Sequence, residues 1–314
     1  MKILGKTNKD ENIMNIASKN SILSLVIVLM IAGTCIQGCT EQKPVPGTII
    51  DEQPDTQNIP SPSYTTNPGY TLDDARSVNQ ALLDTIQHEL DIIDTGLSND
   101  TAALAKTGLL SEQSLGLIRG VKNHSPYIQS PVLLDTNLKI IAVGSEEYPD
   151  IIGSDLSDQP HLNEVLRLKN PVMGNLTSTV EGIPAIPVSY PILVNGSVTG
   201  ILSILIEQKE IFADAILISD RENRFEEFIM QPDGLILYDK DSIHTGKNIH
   251  TEPLYAKNPS FKEIAYRIGD ERTGTGTYQM QNISSTNIFT KEAIWNTTGI
   301  HGGEWRVVVS RITT

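Results

Sequence analysis

The spacing of hydrophobic positions changes several times along this chain, and each change marks a boundary. Residues 22–33, ILSLVIVLMIAG, form one nearly unbroken apolar block of twelve. Residues 40–69 then carry six prolines among Thr, Ser, Gln and Asp, with too few apolar side chains to build a core. Beyond Thr71, the residues Val78, Leu82, Ile86, Leu90 and Ile93 recur at three- and four-residue steps. That period predicts an amphipathic helix opening on Thr71, with Asp73 and Asp74 in its first turn and its end at Gly96. A second helical stretch is expected over about residues 101–121. From there on, apolar residues gather into short runs between turn residues, which is the pattern of strands.

The strand pattern comes twice. SPVLLDTNLKIIAVG (130–144) reads as a hairpin turning at Asp135, Thr136 and Asn137, and EFIMQPDGLILYD (227–239) as one turning at Pro232, Asp233 and Gly234. After each comes a polar loop entering a helix, from Gly153 to Pro160 in GSDLSDQPHL and from Gly246 to Pro253 in GKNIHTEPLY. A strand follows, PVMGNLTST or GTGTYQMQ. Two more strands close each unit: PAIPVSYPILV with VTGILSILIE, and KEAIWNTTGI with EWRVVVSR. A chain that repeats this order builds two copies of one antiparallel sheet, each with a helix and loops over one face. The predicted class is α+β, a long N-terminal helix followed by two tandem modules. The expected divisions are a signal segment (1–39), a Pro-rich linker (40–69), a helical segment (70–126), a first module (127–208), a connecting helix (209–224) and a second module (225–314).

Composition narrows the function. A formal charge of −14 without any Lys/Arg cluster excludes nucleic acid as a partner. The two cysteines, Cys35 and Cys39, both follow the apolar block, so the folded part has no disulfide framework, thiolate metal site or cysteine nucleophile. The block is short against the roughly twenty residues of a spanning helix and suits a signal-peptide core, with Lys2, Lys6, Lys9 and Lys19 ahead of it. IQGC, ending at Cys39, resembles a lipobox, although Gln37 is larger and more polar than the usual residue there. Diacylation of Cys39 would anchor the chain; the same segment also fits secretory cleavage near Gly38 or an uncleaved anchor. Extended at about 3.1 Å per residue, the Pro-rich stretch would reach about 90 Å.

The anchored start, the long helix and the two tandem PAS-like sheets together resemble a double Cache (dCache) sensor domain over about residues 70–312. The likeness is strongest in YPDIIGSDLSDQPHL with PVSYPILVNGSVTGILSILIE, and in FIMQPDGLILYDKD with GGEWRVVVSR. The resemblance implies extracytoplasmic sensing, with the first module distal from the membrane and binding a small molecule, and the second proximal. Amino-acid-binding members carry Arg-Pro-Trp-Tyr at the start of the distal helix and an Asp on its last strand. Here those positions read Gln159, Pro160, His161 and Leu162, with Leu205 in place of the Asp. A buried amino acid would have both its charged ends unpaired, so the standard amino-acid mode is not expected.

The residues expected to line a distal pocket are His161 at the helix start, Arg167 on the helix, Met173 and Asn175 on the central strand, and Ser189 and Tyr190 on the next. His161 equally fits an exposed helix start, Tyr190 a core aromatic, Arg167 a solvated face. Asn175 opens a glycosylation sequon, as do Asn99, Asn123, Asn195, Asn282 and Asn296. His244 and His250, near Asp239 and Asp241, lack the spacing of a metal site and read as a surface loop. The glycines at 274 and 276 precede no Lys-Ser/Thr, and no Gly-x-Ser-x-Gly elbow occurs, so neither a cofactor nor enzyme activity is expected. The chain ends just past its last expected strand, so the reading requires a separate membrane signalling partner. The exposed first helix also suits a homodimer. Rival readings are a substrate-binding lipoprotein of a transporter and a cell-surface structural module without a ligand.

Overall fold

The computed structural model describes residues 69–281 and 287–313. The apolar block, Cys35, Cys39, almost all of the Pro-rich stretch and the Asn282 sequon lie outside them. Helix α1, Leu72–Thr107, opens with a reciprocal cap: the Asp74 amide donates to Thr71 Oγ1 at 3.2 Å, and the Thr71 amide donates to Asp74 Oδ2 at 2.8 Å. It does not end at Gly96 but runs for 36 residues, about 54 Å at ~1.5 Å per residue. Gly96 serves a close approach instead, since a Cβ there would lie 2.6 Å from the ring of His124. That ring bonds Asp100 at 2.8 Å and ties the following loop to the helix. The helix stops at Gly108, whose φ of 76° ends the α conformation, and Ser111 caps the short α2, Glu112–Gly120. The expected second helical stretch is therefore the tail of α1 followed by α2.

The first sheet is formed by β1 (Ile128–Leu134), β2 (Ile140–Val143), β3 (Val172–Met173), β4 (Thr177–Ser178), β5 (Pro184–Val194) and β6 (Ser197–Ile206). Its order is β2-β1-β6-β5-β3, with β4 also on β5, and α3 (Pro160–Leu168) covers one face. After α4 (Gln208–Ser219) come β7 (Glu226–Met230), β8 (Ile236–Asp239), α5 (Pro259–Asp270), β9 (Gly274–Gln281), β10 (Ile288–Thr298) and β11 (Trp305–Ile312). The second order, β8-β7-β11-β10-β9, is the first one repeated.

The repeat extends to individual hydrogen bonds. Gly153 and Gly246 both take positive φ, 91° and 80°, and donate to Ile140 O and Ile236 O, each at 2.8 Å. Three residues on in each, Leu156 donates to Leu138 O and Ile249 to Gly234 O, both at 2.9 Å. The two prolines then differ. Pro160 opens α3 directly, whereas Pro253 opens one 3₁₀ turn and α5 begins only at Pro259.

Each sheet has two covered faces, because alternate strand residues point opposite ways. Ile186, Val188, Tyr190 and Ile192 of β5, with Val307 and Val309 of β11, pack with Leu82, Ile86, Leu90 and Ile93 of α1 and Phe212 of α4 in one continuous core. On the opposite faces, Val132, Leu134 and Ile201 meet Leu162 and Val165 of α3, while Met230, Trp295 and Val308 meet Ile264 and Ile268 of α5. The modules join at the tip of the β10–β11 hairpin. There the Tyr190 hydroxyl donates to Asp94 Oδ1 at 2.5 Å, His301 Nε2 donates to the same oxygen at 2.8 Å, and the Met173 amide donates to His301 O at 3.3 Å. Burial works against the charge of Asp94, but the bonds from Tyr190 and His301 hold its carboxyl below the usual range. Gly303 is required beside this contact, since a Cβ would come within 2.2 Å of the Met173 side chain.

Candidate functional site

In PAS-like architecture the cavity belongs between the sheet and its helix–loop cover, and the two modules differ sharply there. In the first, aliphatic side chains nearly fill the space. What remains is about 40 Å³, walled by Val132, Ile140, Leu156, Pro187, Leu205, Gln159 and His161. That is room for a water molecule or so, at about 30 Å³ each. Ser130 donates to Glu181 across one side of it. Burial depresses His161 to about 4, so its ring is neutral at pH 7.

In the second module a cavity of about 550 Å³ opens at one end of the sheet, within the ~300–1,000 Å³ usual for small-molecule sites. The cause lies in the strand sequences. Met230, Trp295 and Val308 fill the α5 face at one end. On the same face, two or four residues along each strand, stand Glu226, Lys291 and Ser310. Phe228 pairs with Asp239, which brings that carboxyl to the same wall. Phe261 of α5 forms the aromatic side, 6.1 Å from the Phe228 ring and 5.3 Å from that of Tyr278. His244 bonds the Tyr255 hydroxyl at 2.9 Å, and burial holds its pKa below the ordinary histidine range.

The charges are densely coupled. Lys291 donates to Glu226 Oε2 and Lys240 pairs with Glu227, while Arg311 donates to Glu292 Oε2 at 2.7 Å and to Tyr70 O at 2.8 Å. The Oε1 atoms of Glu226 and Glu227 are buried without a hydrogen-bond partner among the described residues. Burial pushes Asp239 up to about 8; the Asp241 amide opposes this, and the charges of Glu226 and Asp241 add to it. Burial likewise raises Glu227 to about 8 against the pull of Lys240.

Of the six residues expected to form a distal pocket, His161 stands on the wall of the small first cavity, beside Gln159 and Leu205. Arg167 is exposed and donates from Nε to Glu164 at 2.9 Å, and Asn175 is exposed. Ser189 bonds Ser203 Oγ at 2.8 Å on the α3 side, while Tyr190, its neighbour in an extended strand, points to α1 and the hairpin tip. One pocket cannot receive both. Met173 packs at the module junction against Gly303. The sequence reading missed Glu226, Asp239 and Lys291. Their signal was alternation: Glu226-Phe228-Met230 and Lys291-Ala293-Trp295 put a charge in line with core residues. His250, expected on a surface loop, stacks on Tyr266 at 3.8 Å, and among the described residues no group of His, Cys, Asp or Glu is arranged to hold a metal.

Residues 88–208 match the HK/GC/chemotaxis protein-like sensor domain family. No curated relative matches the sequence. Among solved structures, the chain is similar to an extracellular ligand binding receptor from Desulfohalobium retbaense, with 22% identity and a TM-score of 0.65. That match covers 77% of this chain and 41% of the receptor, so the chain spans less than half of its length. The periplasmic sensory domain of the Campylobacter jejuni chemoreceptor Tlp1 is 14% identical, with a TM-score of 0.57 over 76% of this chain and 94% of that one. The ligand-binding domain of the Pseudomonas aeruginosa amino acid chemoreceptor PctB, solved with L-Gln, is also 14% identical, with a TM-score of 0.57 over 76% of this chain and 90% of that one. The described chain has the fold of a double Cache-type sensor domain, and residues 88–208 carry the matching sensor-domain sequence.

Proposed function

We propose that this chain is an extracytoplasmic, ligand-binding sensor of double Cache type, held at a membrane by diacylated Cys39 and reporting occupancy to a separate membrane signalling protein. The observation that carries the reading is the second-module cavity, large enough for a metabolite and walled by charged and polar groups beside an aromatic side. Each of the two sheet-face cavities is built on one sheet, the second with Tyr70 and residues 222–224 added to its wall, which favours a sensor over a capture protein that closes two lobes on a hinge. No helix of the described residues is long and apolar enough to cross a membrane, so the tether is assigned to the N-terminal segment.

Thermal-shift screening of the full chain against small metabolites tests the binding role, since a ligand of the native state raises stability by about 2.7 kcal/mol at a hundred times Kd. A stabilising compound is expected, and Met280→Trp, which fills the cavity, is expected to abolish its effect. A screen without a hit, or a hit indifferent to Met280→Trp, would remove the cavity from the function. Cys39→Ser is expected to release the chain from the membrane fraction; retention there would exclude the lipid anchor.

A further inference from the structure

The charges around the second-module cavity are unequally satisfied. Its basic side chains all have carboxylate partners, and two of those partners, Asp220 of the Arg224 pair and Glu292 of the Arg311 pair, lie outside the wall. The wall holds five carboxyl groups, Glu222, Glu226, Glu227, Asp239 and Asp241, against four bases, so it turns net negative as its two raised carboxyls, Asp239 and Glu227, ionise. Asp239 and Asp241 enter no ion pair among the described residues, and Asp239 accepts the Asp241 amide at 2.8 Å. Glu226, bonded through Oε2 to Lys291, has its other oxygen buried and unmatched. A buried acceptor without a donor is costly, more so when charged, and a ligand bearing N–H groups removes that cost. Carboxylates beside aromatic faces are the chemistry of cation recognition, because the ring face attracts positive charge as well.

Resting on the reading that this cavity is the ligand chamber, we propose that it takes a small organic cation, an amine or guanidine. Its N–H groups are received by Glu226 and Asp239, and its apolar part lies against Phe228, Phe261 and Tyr278. An anion would face these carboxylates and would have to displace Lys291 from Glu226 or Arg311 from Glu292.

Recognition by Asp239 couples binding to pH. The groups around that carboxyl are Glu226 from β7, Lys291 from β10, Tyr278 from β9, Asp241 and His244 from the loop after β8, and Tyr255 from the 3₁₀ turn before α5. In the empty cavity the Asp239 carboxyl holds its proton up to about pH 8, so an arriving ammonium releases that proton to solvent. Affinity is expected to rise by up to tenfold per pH unit between pH 6 and 8 and to level off above.

Calorimetry on the full chain with ethanolamine, putrescine and tyramine, with propanol and propionate as neutral and anionic controls, tests the class. At least one amine is expected to bind, with proton release seen as a buffer-dependent enthalpy. Asp239→Asn and Glu226→Gln should each weaken it at least tenfold, while His161→Ala leaves it unchanged. Asp239→Asn replaces a carboxyl that is already neutral at pH 6, so its melting temperature there is expected to match the parent's, and a melt run beside the calorimetry separates lost binding from lost structure. Propionate or propanol binding in place of the amines, sensitive to Met280→Trp, would overturn the cation and leave sensing at this cavity intact. Amine binding indifferent to both carboxyl variants, or none of the five binding, would also overturn it; the metabolite screen then decides the sensing role separately.

Discussion

The two modules share strand order, loop hydrogen bonds and glycine conformations, yet one closes its helix-facing space with aliphatic side chains and the other keeps it open with charges. Topology therefore sets where a pocket is available, and side chains at a few inward strand positions decide whether it exists. A packed copy needs its apolar residues for stability. An open copy carries charged groups where its twin carries core residues.

That contrast can be broken first in the closed copy. Leu162→Ala, at a fully buried position under α3, is expected to cost about 2–5 kcal/mol in urea unfolding of the full chain. In the open copy, replacing the ion pair with Glu226→Leu and Lys291→Met together is expected to be neutral or to stabilise by about 1–4 kcal/mol. A large loss from the double variant would show that the cavity charges hold the fold, and the distinction between the modules would fall.

Of opposite sign in the two copies is the effect of pH. Asp239 and Glu227 are raised from ordinary values of 3.8 and 4.5 to about 8. Their contribution is therefore complete below about pH 4 and is lost as pH rises through about 8. His161, lowered from 6.5 to about 4, contributes fully above pH 6.5 and loses that contribution as pH falls through about 4. Thermal melts from pH 4 to 9 should show both losses. Asp239→Asn should flatten the alkaline limb and His161→Gln the acid limb, and crossed effects would overturn the assignment. Asp94, held low at the module junction, adds to the acid limb in both variants.

The smallest effect sharpens the likeness instead. Gly153 and Gly246 have positive φ and open space where a Cβ would go, so each change to Ala should cost about 1–2 kcal/mol, equally in both modules. Unequal costs would mean that the two loops are not structural equivalents.

The repeat was legible because strands and turns announce themselves locally, and the cap at Thr71 with Asp74 is written in four consecutive residues. Gly96 was misleading because its partner, His124, lies in a later loop; nothing local distinguishes a glycine that ends a helix from one that admits a ring. Ser189 and Tyr190 illustrate a further limit. Their types suggest a pocket, but strand alternation sends them to opposite faces, and only the pairing of β5 in the sheet shows which face each takes. The cavity was hidden for a related reason. Glu226, Asp239 and Lys291 come from three strands and meet only through register, and the fullness of a space depends on every side chain around it.

The β10–β11 hairpin joins the cavity to the module junction. Its pairing is unbroken from Lys291 opposite Ile312 to Thr298 opposite Trp305. Lys291, Ser310 and Ile312 stand at the cavity end, and His301 and Gly303 meet Tyr190, Asp94 and Met173 at the other. The hairpin is thus a continuous arm about 25 Å long at ~3.3 Å per residue, with the cavity wall at one end and its tip seated in the neighbouring module. On an arm of that length, a few degrees of tilt at the cavity end corresponds to an ångström or more at the tip, which is the scale of the hydrogen bonds that Tyr190 and His301 donate to Asp94.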